Sequence, residues 1–566
     1  MKKVIPVLIA LVLIVIIGAA TAGSIVFEKY SYSKEMANHQ EYFGVSGDEL
    51  AIILQDERIE EKAHLVNDIC YFDLNTVHKY FNDTFYVDKE EGVLLYALPT
   101  TVDRYELGDG PVSATGEKNV VYLQGETVFL SADLVKKYTN YSYDCYEYRV
   151  QVYTEWGEKR AATVEKDTQI RVRGGVKSPV LRELIAEEEI EVLERMEKWS
   201  KIKTQDAFIG YVENKFLSEE RKVSETPITD YVEPEYTTKQ FDEKVCLGWH
   251  SIGGVGGNDT LESYVANVKG MNVIAPTWFS LSDNEGGYES FASESYVKRA
   301  HNMGLQVWGV LDDFNYNLTH TDARVDVFEV LSTTTTRNRL VDAIVEEAVA
   351  LGLDGINLDF EAQPSKEKYQ DYKQDFAQFV REMSVACRLN DLTFSIDNPV
   401  PNSNNTYLRR DVQGKVADYV IIMGYDEHLG SNGKASSAAS INFVSNGIDD
   451  TLKLVPKEKV VNGIPFYGML SKTKDNEVTY SDLIIKNVPD FLDRVGQTGT
   501  WDEETQQLYA EWSSGGVKYQ LWAETKESIL VKLNVMRAKE IAGVAVWCLG
   551  CETPDIWEAI SAYLNS

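Results

Sequence analysis

Leu353-Asp354-Gly355-Ile356-Asn357-Leu358-Asp359-Phe360-Glu361 places Asp and Glu, two poor strand formers, in alternation with Ile, Leu and Phe directly after a glycine. Side chains along a strand point to opposite faces with period two, so Asn357, Asp359 and Glu361 share one face and Ile356, Leu358 and Phe360 the other. A strand with carboxylates inside and bulky apolar groups outside suits a parallel barrel whose outer face packs on helices. Reactive groups then sit at the strand's C-terminal end. Glu361 is that end, since Ala362-Gln363-Pro364 follows. Residues two apart on a strand have Cα atoms about 6.6 Å apart, and both carboxylates stand on the same wall. They do not easily flank a sugar from opposite sides. They can share a proton instead. A neighbouring negative charge and partial burial both raise a carboxyl's pKa, so Glu361 is read as a general acid and Asp359 as the group that orients it and then stabilises nearby positive charge. The nucleophile must come from the substrate.

Working outward, strand-like runs recur at Val245–Trp249, Met271–Leu281, Leu305–Asp312, Asp354–Glu361, Leu392–Pro399, Asp418–Asp426, Lys459–Tyr467 and Gly543–Leu549. Helical patterns separate most of them. In Thr334–Leu351, Leu340, Ile344, Ala348 and Leu351 fall at helical spacing. Eight strands with intervening helices predict an α/β chain with a TIM (β/α)8 barrel over residues 243–566. A polar stretch at 470–519, too long for one helix, predicts an insertion between the seventh and eighth strands. Parity groups Ile421, Met423 and Tyr425 on one face of the sixth strand. It groups Gly543, Ala545 and Trp547 on the eighth, a hollow floored by an indole. On the fifth, Thr393, Ser395 and Asp397 form a polar interior within reach of Asp359 or Asn357.

Asp354-Gly-Ile-Asn357-Leu-Asp359-Phe-Glu361 resembles the DGxDxDxE signature of glycoside hydrolase family 18, with one departure: Asn357 stands where the family usually has its middle Asp. An amide can hydrogen-bond to Asp359 but cannot relay charge. Met423-Gly-Tyr425-Asp426 resembles the family's M-x-Y-D signature, and Gly463-Ile-Pro-Phe-Tyr467-Gly468 its seventh-strand motif. The resemblance implies Glu361 as the acid and the substrate's 2-acetamido oxygen as the nucleophile, giving an oxazolinium intermediate. It further implies that Tyr425 orients the acetamido group and Asp426 contacts sugar hydroxyls. The resemblance also implies that Trp547 lies beneath the sugar, where an aromatic face favours both the apolar sugar face and a positive intermediate. Tyr467, Met423 and Trp278 are expected to contribute to substrate binding; Trp249, Trp308 and Trp522 also fall near strand ends. Glu524-x-x-x-Ser528-x-x-x-Lys532 resembles the family's lead-in to the last helix and is read as structural. No metal or organic cofactor is implied.

Ahead of the barrel, residues 164–222 carry short, evenly spaced strands ending in Gly210-Tyr211-Val212 and resemble a bacterial SH3 domain. Such modules often bind cell-wall peptides; a rigid spacer barrel is the alternative. Residues 45–160 read as a small α+β module, weakly similar to the copper-amine-oxidase N-terminal-like stalk domain of bacterial wall proteins. Residues 223–242, with Pro227 and Pro234, read as a linker, and 28–44 as a juxtamembrane linker. Met1-Lys2-Lys3 precedes an uncharged apolar run. Residues 1–27 are therefore read as a single-pass anchor with its N-terminus inside, with Ala20-Thr21-Ala22 the site of a cleaved signal in the alternative.

The chain's 56 basic and 89 acidic residues leave a net charge of −33, which argues against nucleic acid and other polyanions as partners. Six cysteines in 566 residues are too few for a disulfide framework. Cys548-Leu-Gly-Cys551 has no second pair beside it and reads as packing cysteines or a local disulfide. The Tyr425-Asp-Glu-His428 form of the sixth strand looks closer to the wall- and cortex-lytic branch than to chitinases. Together these readings predict a membrane-tethered hydrolase facing outward that cleaves β-1,4 bonds at N-acetylglucosamine, with retention, in peptidoglycan. The rivals are a chitinase or chitooligosaccharide hydrolase, a non-catalytic glycan-binding protein on the same barrel, and a wall-tethering structural protein.

Overall fold

The structure is a computed structural model that describes residues 4–113, 115–224, 229–314, 325–431 and 433–566. Met1-Lys2-Lys3 and Pro227 lie outside them. The chain divides into two compact units, residues 1–85 with 106–233, and residues 86–105 with 234–566.

In the first unit, helix Val4–Tyr30 contains a stretch, Leu8–Tyr30, long and apolar enough to cross a membrane. The segment after it is not a loose linker. Ala37 N donates to Val180 O at 2.7 Å, Val180 N to Glu35 O at 2.8 Å and Ser33 N to Val176 O at 2.8 Å, so the segment adds itself to a strand edge. The hydroxyl of Tyr32 donates to Glu213 at 2.9 Å. That edge, Val180–Leu184, belongs to a seven-stranded antiparallel sheet around Val164, Ile170, Leu181, Val192, Ile202 and Val212. The sheet starts at Glu158–Thr163 and ends with Arg221–Ser224, wider on both sides than the expected 164–222. The expected α+β module is an eight-stranded sheet with helices Leu74–Tyr80 and Ala132–Tyr138.

That module is not one continuous body over 45–160. Strands Tyr86–Asp88, Val93–Ala97 and Val102–Glu106 form their own sheet, and residues 86–105 group with the barrel. The reason is burial. Val93, Leu94, Leu95 and Tyr96 are almost fully buried, packed on helix Tyr369–Leu389. Arg337, completely buried, donates to Glu382 at 2.9 Å and to the Tyr86 hydroxyl at 2.9 Å. A buried guanidinium needs such partners.

In the second unit eight parallel strands close on themselves: β1 Val245–His250, β2 Val273–Leu281, β3 Gln306–Asp312, β4 Gly355–Asp359, β5 Thr393–Pro399, β6 Tyr419–Met423, β7 Val460–Pro465 and β8 Gly543–Trp547. Each pairs with its neighbour in sequence, and β1 closes the ring on β8. This is the expected TIM barrel. Its interior is filled by Leu247, Val273, Ala275, Val310, Ile421, Val461 and Ala545, with Trp308 stacked between Tyr419 and Phe241 toward the strands' N-terminal ends. Ile356, Leu358, Phe360, Phe394 and Ile396 pack outward in the helix-facing core, as the alternation predicts. The insertion before β8 is a five-stranded antiparallel sheet spanning Tyr467–Lys474 through Val517–Ala523 with helix Val488–Val495. It is slightly longer than 470–519.

Candidate active site

The C-terminal ends of β3, β4, β5, β6 and β8 bring six carboxylates, a phenol and an indole to one mouth. Glu361 follows β4 by two residues and is open to solvent. Its backbone N–H donates to Asp313 Oδ1 at 3.0 Å, and that of Ala362 to Asp313 Oδ2 at 2.9 Å, so the carboxylate after β3 clamps the turn that carries Glu361. Protein crowding around the Glu361 carboxyl, followed by the charges of Asp426, Asp313 and Asp312, pushes its pKa up to about 7. Asp312 accepts from Ser280 at 2.7 Å, and burial raises it to about 6. Asp312 and Asp313 were not picked out in the sequence. The signal was two consecutive acids closing the apolar run Val307–Leu311.

One turn of pleat below, Asp359 is 7% exposed and Asp397 on β5 is 2% exposed. Burial first, and then each other's charge or that of Glu361, holds both carboxyls well above the usual carboxylate range. Asn357 is not directed at Asp359 as expected. Its Nδ2 donates to Asp397 at 2.9 Å and to Ser395 at 3.0 Å, and its Oδ1 accepts from Trp249 Nε1 at 2.9 Å.

Tyr425 lies two residues past β6 and is nearly buried. Burial, followed by the charges of Tyr467, Asp359, Asp397 and Asp426, keeps its phenol protonated far into alkali. Glycine makes room for it: a Cβ on Gly463 of β7 would stand 3.1 Å from the Tyr425 ring. Tyr467 packs edge-on against Tyr425, centroids 6.2 Å apart, and donates to Asp426 at 2.5 Å. Trp547 is half-buried at the end of β8, its ring 6.1 Å from Trp249. Met423 is buried in the same apolar cluster as Tyr425 and Tyr467.

Trp278 is a correction. It is 1% exposed, donates to Asn258 at 2.8 Å and packs on Tyr296 in the helix-facing core. Val273 and Ala275 face the barrel interior and Ile274 faces out. Trp278 has the parity of Ile274, so it is a packing residue. Trp308 is sealed in the interior, and Trp249 holds Asn357. The Cys548 and Cys551 sulfurs are 3.4 Å apart, both as thiols. Among the described residues no group of three or more His, Cys, Asp or Glu is placed to hold a metal ion.

A carboxyl with a raised pKa at a barrel rim, a buried carboxyl beneath it and a phenol near that buried group are the parts that acid-catalysed cleavage of a glycosidic bond requires. Comparison with known proteins names the class. Residues 321–552 match the family model for glycosyl hydrolases family 18, and residues 166–218 that for the bacterial SH3 domain. Residues 321–552 thus carry a glycosyl hydrolase family 18 domain and residues 166–218 a bacterial SH3 domain, which makes the chain a family 18-like glycosidase. Among relatives, the uncharacterized glycosylase YvbX of Bacillus subtilis (strain 168) is 27% identical over 51% of this chain and 84% of that protein. The cortical fragment-lytic enzyme of the same organism is 23% identical over 42% of this chain and 56% of its own length, so this chain spans only about half of that relative. Of solved structures, a chitinase from Chromobacterium violaceum aligns with a TM-score of 0.49 at 20% identity, over 57% of this chain and 99% of that one. The spore cortex-lytic enzyme SleL of Bacillus cereus aligns with 0.47 at 17%, over 60% and 78%.

Proposed function

We propose that this chain is a membrane-anchored, outward-facing hydrolase that cleaves β-1,4 linkages at N-acetylglucosamine in cell-wall peptidoglycan, with the substrate's own 2-acetamido oxygen as nucleophile. The observation that carries the reading is the pair on β4. Glu361 sits open at the rim with a pKa of about 7, and Asp359 below it is too deeply buried to reach an anomeric carbon. Glu361 gives its proton to the leaving oxygen as the acetamido oxygen closes on the anomeric carbon and the glycosidic bond breaks. The Glu361 carboxylate then takes a proton from the water that opens the oxazolinium ring, restoring the acid and retaining configuration. The Tyr425 phenol, which keeps its proton, donates to the acetamido oxygen and fixes it in line, a proximity effect. Asp426, held by Tyr467, takes sugar hydroxyls, and Trp547 forms the floor.

Peptidoglycan is favoured over chitin by the relatives named cortical fragment-lytic enzymes, by an SH3 domain suited to wall peptides and by helix Val4–Tyr30 as the anchor. The test is mass spectrometry of products from purified peptidoglycan and from chitin incubated with the full chain. Peptidoglycan fragments ending in reducing N-acetylglucosamine support the proposal. Release from chitin alone moves the substrate to chitin, and fragments ending in reducing N-acetylmuramic acid contradict the bond assigned.

A further inference from the structure

Asn357 leaves the wall of β4 one carboxylate short, and β5 supplies one. The two strands run parallel with Gly355 beside Thr393, Asn357 beside Ser395 and Leu358 beside Ile396. Continued by one residue, that register sets Asp359 beside Asp397, on strands about 4.8 Å apart, with both side chains on the inward face. One oxygen of each is sealed from solvent without a hydrogen-bond partner: Oδ1 of Asp359 and Oδ2 of Asp397. The other oxygen of Asp397 accepts from Asn357 Nδ2. Both N–H donors of Asn357 are spent on β5, on Asp397 and Ser395, so its amide anchors Asp397 and has no donor left for Asp359. Two carboxyls this close and this dry cannot both ionise, and a single proton between them satisfies both orphaned oxygens.

We propose that Asp397 is a positioning residue that shares one proton with Asp359, in the role a second carboxylate on β4 would otherwise fill. The inference rests on the substrate-assisted reading above. In the resting enzyme the proton bridges Asp359 Oδ1 and Asp397 Oδ2. As the acetamido oxygen attacks and positive charge grows at the acetamido N–H, the proton passes to Asp397, and Asp359 faces that N–H as an anion. When water opens the ring the proton returns, so the pair gains and loses nothing over a turnover. The charged and titratable groups facing the pair are Glu361 just past β4, Asp312 and Asp313 at the end of β3, and Tyr425 beyond β6; the Trp249 indole on β1 lies beside Asp397 with its N–H given to Asn357. None of them is a cation. The proton is the pair's own means of neutralising one charge.

The test compares kcat and KM of the full-length wild type, Asp397→Asn, and the double variant Asn357→Asp with Asp397→Asn, which moves the second carboxylate from β5 back to β4. A wild type that hydrolyses neither peptidoglycan nor chitin fails the hydrolase reading itself, before Asp397 is at issue. Given an active wild type, Asp397→Asn is expected to lower kcat on the order of 10²-fold, as for other groups that manage a proton in the transition state, with KM little changed. The double variant is expected to recover at least about tenfold of that loss. A loss below about tenfold in the single variant, or recovery below about tenfold in the double, overturns the proposal: a merely structural Asp397 is not replaced from another strand. If Asp397→Asn does not fold, the double variant is read directly against wild type. Activity within about tenfold supports the shared proton, and anything lower overturns it.

Discussion

Asp359 ends a strand and Glu361 stands two residues past it, yet their surroundings set them to different tasks. Asp359 is sealed and Glu361 opens to water. Glu361 must hold its proton to act, so kcat falls as pH rises through about 7. The same shift acts on folding. A carboxyl raised from 4.5 to about 7 adds stability that is fully present below 4.5 and is lost as pH climbs toward 7, because only the folded chain still holds the proton in that window. Glu361→Gln therefore removes hydrolysis, by about 10²-fold or more, while calorimetry still detects glycan binding. The variant melts higher than wild type at pH 8 and about equally at pH 4. An equal fall in binding, or an unchanged rate, contradicts the assignment. Alternation alone exposed these two residues in the sequence. It did not expose Asp313, which acts by accepting backbone N–H groups from a turn 48 residues later. Nor did it show the partners of Asn357, whose choice between Asp359 and Asp397 depends on a rotamer.

At the scale of elements, all eight barrel strands were legible because each is a short apolar run ended by polar or glycine residues, and periodicity reports burial directly. What periodicity does not report is where an isolated apolar run finds its cover. Val93–Ala97 reads as one more strand of the N-terminal module, yet it packs on a barrel helix. The polar segment after Tyr30 has no period at all, because an added edge strand is held by its backbone. The Glu524, Ser528 and Lys532 pattern was legible, and its basis is a buried ion pair. Lys532 and Glu524 are 1% and 0% exposed at 2.9 Å, Gln507 and Ser528 donate to the same carboxylate, and Thr525 caps the helix that follows. Lys532→Met strands that carboxylate and should destabilise the barrel by about 3–5 kcal/mol, measured as a loss in the barrel's denaturation midpoint at unchanged slope. A change below about 1 kcal/mol shows that Glu524 finds other compensation.

At the scale of the whole molecule, an apolar N-terminal helix, a bacterial SH3 domain and a family 18 barrel share one acidic chain. The net charge of −33 disfavours polyanionic partners and leaves glycan recognition to stacking and hydrogen bonds at the mouth of the barrel. Everything proposed for that mouth turns on the source of the nucleophile. The direct measurement uses otherwise identical glycosides whose 2-acetamido group carries zero, one, two or three fluorines. Fluorine draws electrons from the carbonyl oxygen and leaves the sugar's other contacts in place. If that oxygen attacks the anomeric carbon, kcat/KM falls at every step of the series. If a protein carboxylate or a water attacks instead, the series is flat, and the central claim is wrong.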